Sequence, residues 1–198
     1  MTFFASDRER RLWMWSLAAV LAIYSTLIFS SLLSDVLYSQ GLSAILFVTG
    51  MFLVGVTILT QGLKTRPGGV EIGIGIGIAV VYGMVFVRLS IPERSHLIEY
   101  GVVAVFIYEA LRERASQGRR VPVPWLLAIS LTTLIGAIDE FLQLFLPHRH
   151  FDKTDILFNF LAALATVIVL VVLGWSRRLT IHFRQKRQVD TKDNSGNE

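Results

Sequence analysis

The stretch GAIDEFLQLFLPHRHFDKTDILFNF, residues 136–160, decides how the rest of the chain is read. It leaves one apolar segment, turns at Pro147 and enters a second apolar segment. Asp139 and Gln143 stand four residues apart and Glu140 and Gln143 three apart, so a helix carries them on one stripe. Beyond the turn, Asp155 and Asn159 are again four apart and share a face at the start of the next helix. There Asp155 also suits the positive end of the helix. A carboxylate inside an apolar helix is expensive in hydrocarbon, so these groups must face other helices or a polar hollow.

Working outward, the whole chain has the composition of a bilayer protein: 53% of its 198 residues are hydrophobic and 17% charged. A crossing needs about 20 apolar residues. Six stretches approach that length: Leu12 to Leu33, Leu42 to Leu63, Val70 to Leu89, His96 to Leu111, Val123 to Leu146 and Asp155 to Trp175. The fourth is short and carries His96, Glu99 and Glu109, which predicts a tilted or shallow helix, or one packed wholly against its neighbours. Polar, proline-bearing or glycine-bearing separators punctuate the six. The sequence therefore predicts an all-α transmembrane bundle of about six spans with antiparallel neighbours. Residues 1–11 form an N-terminal segment, 12–91 carry three spans, 92–175 carry a core of three more, and 176–198 are a basic and polar tail. Within that tail, Thr180 to Glu198 reads as disordered.

Charge sets the orientation, because cytoplasmic loops retain Lys and Arg. Alternating spans leave fifteen of the nineteen on one side, from Arg8, Arg10 and Arg11 through Lys64, Arg66, Arg112, Arg114, Arg119 and Arg120 to the tail. The other side keeps Arg88, Arg94, Arg149 and Lys153. Both termini are expected in the cytoplasm, and omitting the fourth span would move the tail cations outside. The net charge of +4 is spread between apolar runs instead of forming one basic face, which argues against nucleic acid as a partner. The absence of cysteine removes disulfides, thiolate metal sites and a cysteine nucleophile. Leu12 to Leu33 is longer than the apolar region of a cleaved signal peptide and reads as an uncleaved signal anchor.

With this orientation, a second polar segment reaches the same outer surface as the first. It is PERSHLIEYG, residues 92–101, in which His96 precedes Glu99 by three and Tyr100 by four residues and shares a helix face with both. The resulting binding set is Arg94, His96, Glu99, Tyr100, Asp139, Glu140, Gln143, Arg149, Asp155 and Asn159. Arg94, Arg149, Lys153 and His96 beside lipid suit a phosphate or carboxylate head group. Asp139 and Glu140 orient those cations or, with His96, serve as candidate acid and base. Against this stands a plainer reading, in which the same residues form a hydrogen-bonded network pinning three helices. A metal site would draw on His96, His148, His150, Asp152 and carboxylates, but His148, His150 and Asp152 alternate in a loop without the register of a zinc-binding helix. Proton-coupled transport would use the same carboxylates, yet no paired broken helices and no ionisable ladder to the other side are visible.

The pattern resembles the VanZ-like family of membrane proteins. The likeness rests on His96 and Tyr100, on Asp139, Glu140 and Gln143, on Pro147 and Arg149, and on Asp155 and Asn159, over Pro92 to Leu173. It departs from the familiar form in placing its basic residue within Glu93-Arg94-Ser95, and in having two spans between the first helix and the histidine motif. The resemblance implies a multi-pass protein of the bacterial inner membrane, active at the cell envelope and linked to glycopeptide (teicoplanin) resistance. A lipid-linked cell-wall precursor is the partner that fits, beside the bilayer itself. Catalysis, cofactor and homo-oligomerisation stay open at this point. Gly73, Gly75 and Gly77 read as a helix-packing surface, and Trp13, Trp15, Trp125 and Trp175 as interfacial anchors. Glu109 with Arg112 reads as a solvated pair.

Overall fold

The computed structural model describes residues 3–32, 91–146 and 151–195, with side chains over 3–25, 96–146 and 151–175. These residues form four helices and, among them, no strand: α1 (Asp7–Leu32), α2 (Ile91–Ser116), α3 (Pro124–Gln143) and α4 (Lys153–Ser195). The stretches 42–63 and 70–89 expected as spans, with Gly73, Gly75 and Gly77, lie outside the described residues. So do Pro147, His148, Arg149 and His150.

Local chemistry accounts for where each helix begins. Ser6 and Glu9 bracket the first turn of α1: the Glu9 amide donates to Ser6 Oγ at 3.0 Å, and the Glu9 carboxylate accepts from the Ala5 amide at 2.6 Å. One of the donors that a helix start leaves orphaned is met in this way, and the residue before the cap is tied to the first turn. At the far end of α2, Gly118 adopts φ 77°, the left-handed region open to glycine, while its amide donates to the Ala115 carbonyl at 3.1 Å. Pro124 opens α3, where its missing N–H costs nothing. At the close of α3, the amides of Leu144, Phe145 and Leu146 donate to the carbonyls three residues back. This tight turn precedes Pro147 and ends regular helix at Gln143, short of the expected Leu146.

The short stretch expected as a fourth span lies in the helix at the centre. α2 packs against α1, α3 and α4. Its buried residues Tyr100, Val103, Ala104, Ile107, Ala110 and Leu111 recur at helical spacing. Of these, Val103, Ala104, Ile107 and Leu111 form one core cluster with Ile23 of α1, Ala128 and Ile129 of α3, and Ala163 and Val167 of α4. A helix covered on several sides by protein needs little lipid-facing apolar surface, which is why its sequence signal is weak. The small side chains Ala104, Ala110, Ala128, Ala162 and Ala163 bring the backbones close, the usual solution where lipid already satisfies apolar surface.

The outward surfaces are apolar instead. Met14, Leu17 and Leu21 of α1, Leu134, Ile138 and Phe141 of α3, and Leu157, Ile168 and Val171 of α4 are exposed. Both α3 and the Lys153–Trp175 part of α4 are long and apolar enough to cross a membrane. Trp15, Trp125 and Trp175 are exposed as anchors should be, whereas Trp13 is partly buried against the core. The reading of a disordered tail from Thr180 does not hold for the backbone. α4 continues as helix to Ser195, through a run containing neither proline nor glycine and rich in Arg, Lys and Gln, which favour helix.

Candidate functional site

α2 runs antiparallel to α3, and α3 to α4, so the start of α2, the end of α3 and the start of α4 meet at one end of the bundle. On α3 the buried residues Thr132, Gly136, Asp139, Glu140 and Gln143 make one continuous stripe. Against it α2 sets His96 and Tyr100, and α4 sets Asn159. Tyr100, Glu140 and Asn159 are fully buried, and Asp139 and Gln143 nearly so.

The contacts within this cluster are specific. Gln143 Nε2 donates to Glu140 Oε1 at 2.7 Å, realising the three-residue spacing seen in the sequence, and the Asp152 amide donates to Glu140 Oε2 at 3.3 Å. The turn between α3 and α4 is thereby tied back to the acidic helix. His96 Nε2 lies 3.5 Å from Asp155 Oδ2, and the imidazole stacks on the Tyr100 ring at 6.0 Å between centroids. The Tyr100 hydroxyl stands beside Asp139. One imidazole nitrogen of His96 and one carboxylate oxygen from each of Asp139 and Glu140 all lie within 4.8 Å of one another. His96 Nδ1, Thr132 Oγ1 and both amide atoms of Asn159 are buried without a hydrogen-bond partner among the described residues.

Of the residues expected at the site, His96, Tyr100, Asp139, Glu140, Gln143, Asp155 and Asn159 are brought together. Glu99 is on the same helix but only half-buried. Arg94 falls in the first turn of α2 with its side chain outside the described residues, and Arg149, His148 and His150 lie outside them altogether. Lys153 is exposed. Asp152, a metal candidate in the sequence, instead caps α4, where its Oδ1 accepts the Thr154 amide at 2.7 Å. That bond holds the Asp152 carboxyl below its ordinary pKa of 3.8.

Three contributors escaped the sequence reading. Gly136 is needed for a close approach, since a Cβ there would sit 2.6 Å from Asn159 Nδ2 and 2.8 Å from Asn159 Cβ. Thr132 extends the polar stripe one turn deeper. Tyr24 of α1 donates to the Ile135 carbonyl at 3.0 Å, bringing a fourth helix to the acidic segment. The small-residue signal at Gly136 was legible, as it precedes Glu140 by four; Tyr24 offered none.

A second polar cluster at the opposite end was also missed. Glu9 of α1 is fully buried and accepts from Arg114 of α2 at 2.9 Å. Arg8 reaches Glu113 at 3.0 Å and Glu109 at 3.2 Å. Glu109 also takes its expected partner Arg112 at 3.3 Å, so the pair read as merely solvated belongs to an interhelical network. Burial pushes Glu113 up, but hydrogen bonds from Ser6 and Gln117 and the charge of Arg8 outweigh it and hold its carboxyl below the ordinary 4.5.

The family model for VanZ/LLP1 matches residues 2–174. The chain belongs to the VanZ/LLP1 family. The match reaches back from the Pro92–Leu173 stretch, on which the likeness was read, to include α1. In this VanZ/LLP1 chain, α1 supplies Tyr24 to one polar cluster and Arg8 and Glu9 to the other. Family membership and the two apolar helices together mark a membrane protein. No curated protein and no solved structure matches the chain.

Proposed function

We propose that this VanZ/LLP1 protein is a multi-pass protein of the bacterial inner membrane, with about six spans and both termini cytoplasmic, whose polar end faces outward. There it binds the polar head group of a cell-envelope lipid or peptidoglycan precursor, and through that binding contributes to glycopeptide (teicoplanin) resistance. The observation that carries this reading is the convergence of His96, Tyr100, Asp139, Glu140, Gln143 and Asn159 from three helices at one end of the bundle. Bare groups at His96 Nδ1 and the Asn159 amide accompany it. A network serving only to pin helices would satisfy its own donors and acceptors, because a buried amide left unpaired costs about 1–3 kcal/mol. Here a polar guest completes them. Arg94 and Arg149, near the same end in the sequence, supply the charge that a phosphate or carboxylate group requires.

Topology is tested first. The chain has no cysteine, so single cysteines can be introduced without background. A cysteine at Arg149 is expected to react with an impermeant thiol reagent in intact cells, and one at Gln117 only after permeabilisation. Labelling of both from the same side would overturn the orientation. Binding is tested by expressing the chain in sensitive cells and measuring tolerated teicoplanin and retention of a lipid-linked peptidoglycan precursor on the purified protein. Arg149→Ala and Glu140→Gln should remove both effects while the protein still folds. Folded variants with unchanged tolerance and unchanged retention would sink the reading.

A further inference from the structure

We propose that His96, Asp139 and Glu140 form a divalent-metal site of the zinc or manganese class, at the end of the bundle where α2 meets α3. Ion binding here does not depend on the head-group reading and is assayed without lipid precursor.

The geometry provides the donors. One nitrogen and two carboxylate oxygens, from three residues on two helices, lie within 4.8 Å of one another. Ligands about 2.1 Å from a tetrahedral zinc ion lie about 3.4 Å apart, so closing around an ion draws these atoms together by at most about 1.4 Å, within the reach of side-chain rotation. Imidazole with two carboxylates is a mixed nitrogen and oxygen set, which suits zinc or manganese better than the all-oxygen shells of calcium or magnesium.

An independent observation points to a missing ligand. His96 is only 9% exposed, its Nε2 is engaged by Asp155, and its Nδ1 has no partner among the described residues. A metal-binding imidazole commonly has one nitrogen oriented by a carboxylate and the other bare for the ion. Asp155 thus takes the part of the positioning residue. Asn159, fully buried with both amide atoms bare, packs over Gly136 one turn from Asp139 and Glu140. Of the loop set His148, His150 and Asp152, only Asp152 lies among the described residues, and its carboxylate is already engaged as the cap of α4.

The rival arrangement is one in which an arginine, from Arg94 or Arg149, balances the carboxylates and no ion enters. The test uses the full chain in detergent, stripped with chelator, dialysed, and loaded separately with Zn²⁺ or Mn²⁺. Bound metal is read by mass spectrometry, and Mn²⁺ also by its electron paramagnetic resonance signal. About one ion per chain is expected. Asp139→Asn, Glu140→Gln and His96→Gln should each weaken uptake at least about tenfold, and Asp155→Asn about 10–100-fold through the imidazole it orients. Glu109→Gln at the other end should leave uptake unchanged. Where one variant fails to fold, the remaining ones decide. No stoichiometric ion on the wild-type chain, or uptake that survives His96→Gln and disappears in His148→Ala/His150→Ala, overturns the proposal.

Discussion

The two ends of the bundle use the same kinds of residue for opposite purposes. At the Glu9 end three carboxylates have a cation in reach: Glu9 with Arg114, Glu113 with Arg8, and Glu109 shared by Arg8 and Arg112. At the His96 end, acidic groups gather with one another and with amides, and buried donors and acceptors are left bare at His96 and Asn159. The first arrangement closes on itself and fastens α1 to α2. The second, among the described residues, leaves donors and acceptors open. The contrast shows that burial and charge alone do not mark a site; the balance of donors and acceptors does.

The largest test of that contrast removes one carboxylate from each end. Glu9 is fully buried, so Glu9→Ala strands Arg114, undoes the first turn of α1 and costs about 3 kcal/mol of stability. At the other end Glu140→Gln keeps the shape and one acceptor for the Gln143 amide, and its cost is expected below about 1 kcal/mol. Thermal unfolding in detergent compares the two directly. A Glu140→Gln loss as large as that of Glu9→Ala would make the His96 end a structural network after all.

Gly136 joins packing to the site. Its missing side chain is what lets Asn159 of α4 sit against α3, so Gly136→Ala must push the buried amide aside. Overpacking of this kind costs about 1–3 kcal/mol. The same substitution should also reduce uptake of metal at the His96 end while leaving the Glu9 end intact, which combined melting and metal analysis would reveal. Unchanged melting would mean that the helices part easily there.

The sequence made the His96 end legible because its signal is local and periodic. Asp139, Glu140 and Gln143 follow one helix face, and a carboxylate among Ile138, Phe141 and Leu142 stands out by cost alone. The Glu9 end was hidden because its meaning is pairwise across about a hundred residues: Arg8 and Glu9 looked like charges flanking an apolar run until α2 brought Glu113 and Arg114 alongside. The pattern Ser6-Asp7-Arg8-Glu9 did carry a helix-start signature that only local chemistry was needed to read. α2 was faint for a related reason, since a helix sheathed in protein can carry charges at its ends that a lipid-facing helix cannot. The tail was misjudged because polarity was weighted above helix propensity.

A smaller effect probes the hinge of the Glu9 end. Gly118 ends α2 at φ 77°, just beyond Arg114, and a Cβ there would meet nothing within 4 Å. Gly118→Ala therefore isolates backbone strain from packing, with an expected cost of about 1 kcal/mol. Asn in the same place should recover part of it, since Asn tolerates this conformation. A null result in melting would show that the turn after α2 relaxes freely and does not help fix Arg114.

The mildest test is acid. The Glu113 carboxyl is held below its ordinary 4.5 in the folded protein. A carboxylate with a depressed folded value contributes stability that is complete above the unfolded value and is lost as pH falls through the folded one. From pH 7 down to about 5 this contribution should therefore stay constant, and below that it should fade. The partner Arg8 is more than half exposed, so solvent and salt screen the pair and the whole contribution is expected at about 0.2–1 kcal/mol. Glu113→Gln should lower the melting temperature slightly at pH 7 and flatten its decline below pH 4.5, so that wild type and variant converge in acid. Curves that run parallel down to pH 3 would mean that Glu113 holds α1 to α2 through its hydrogen bond with Ser6, without help from its charge.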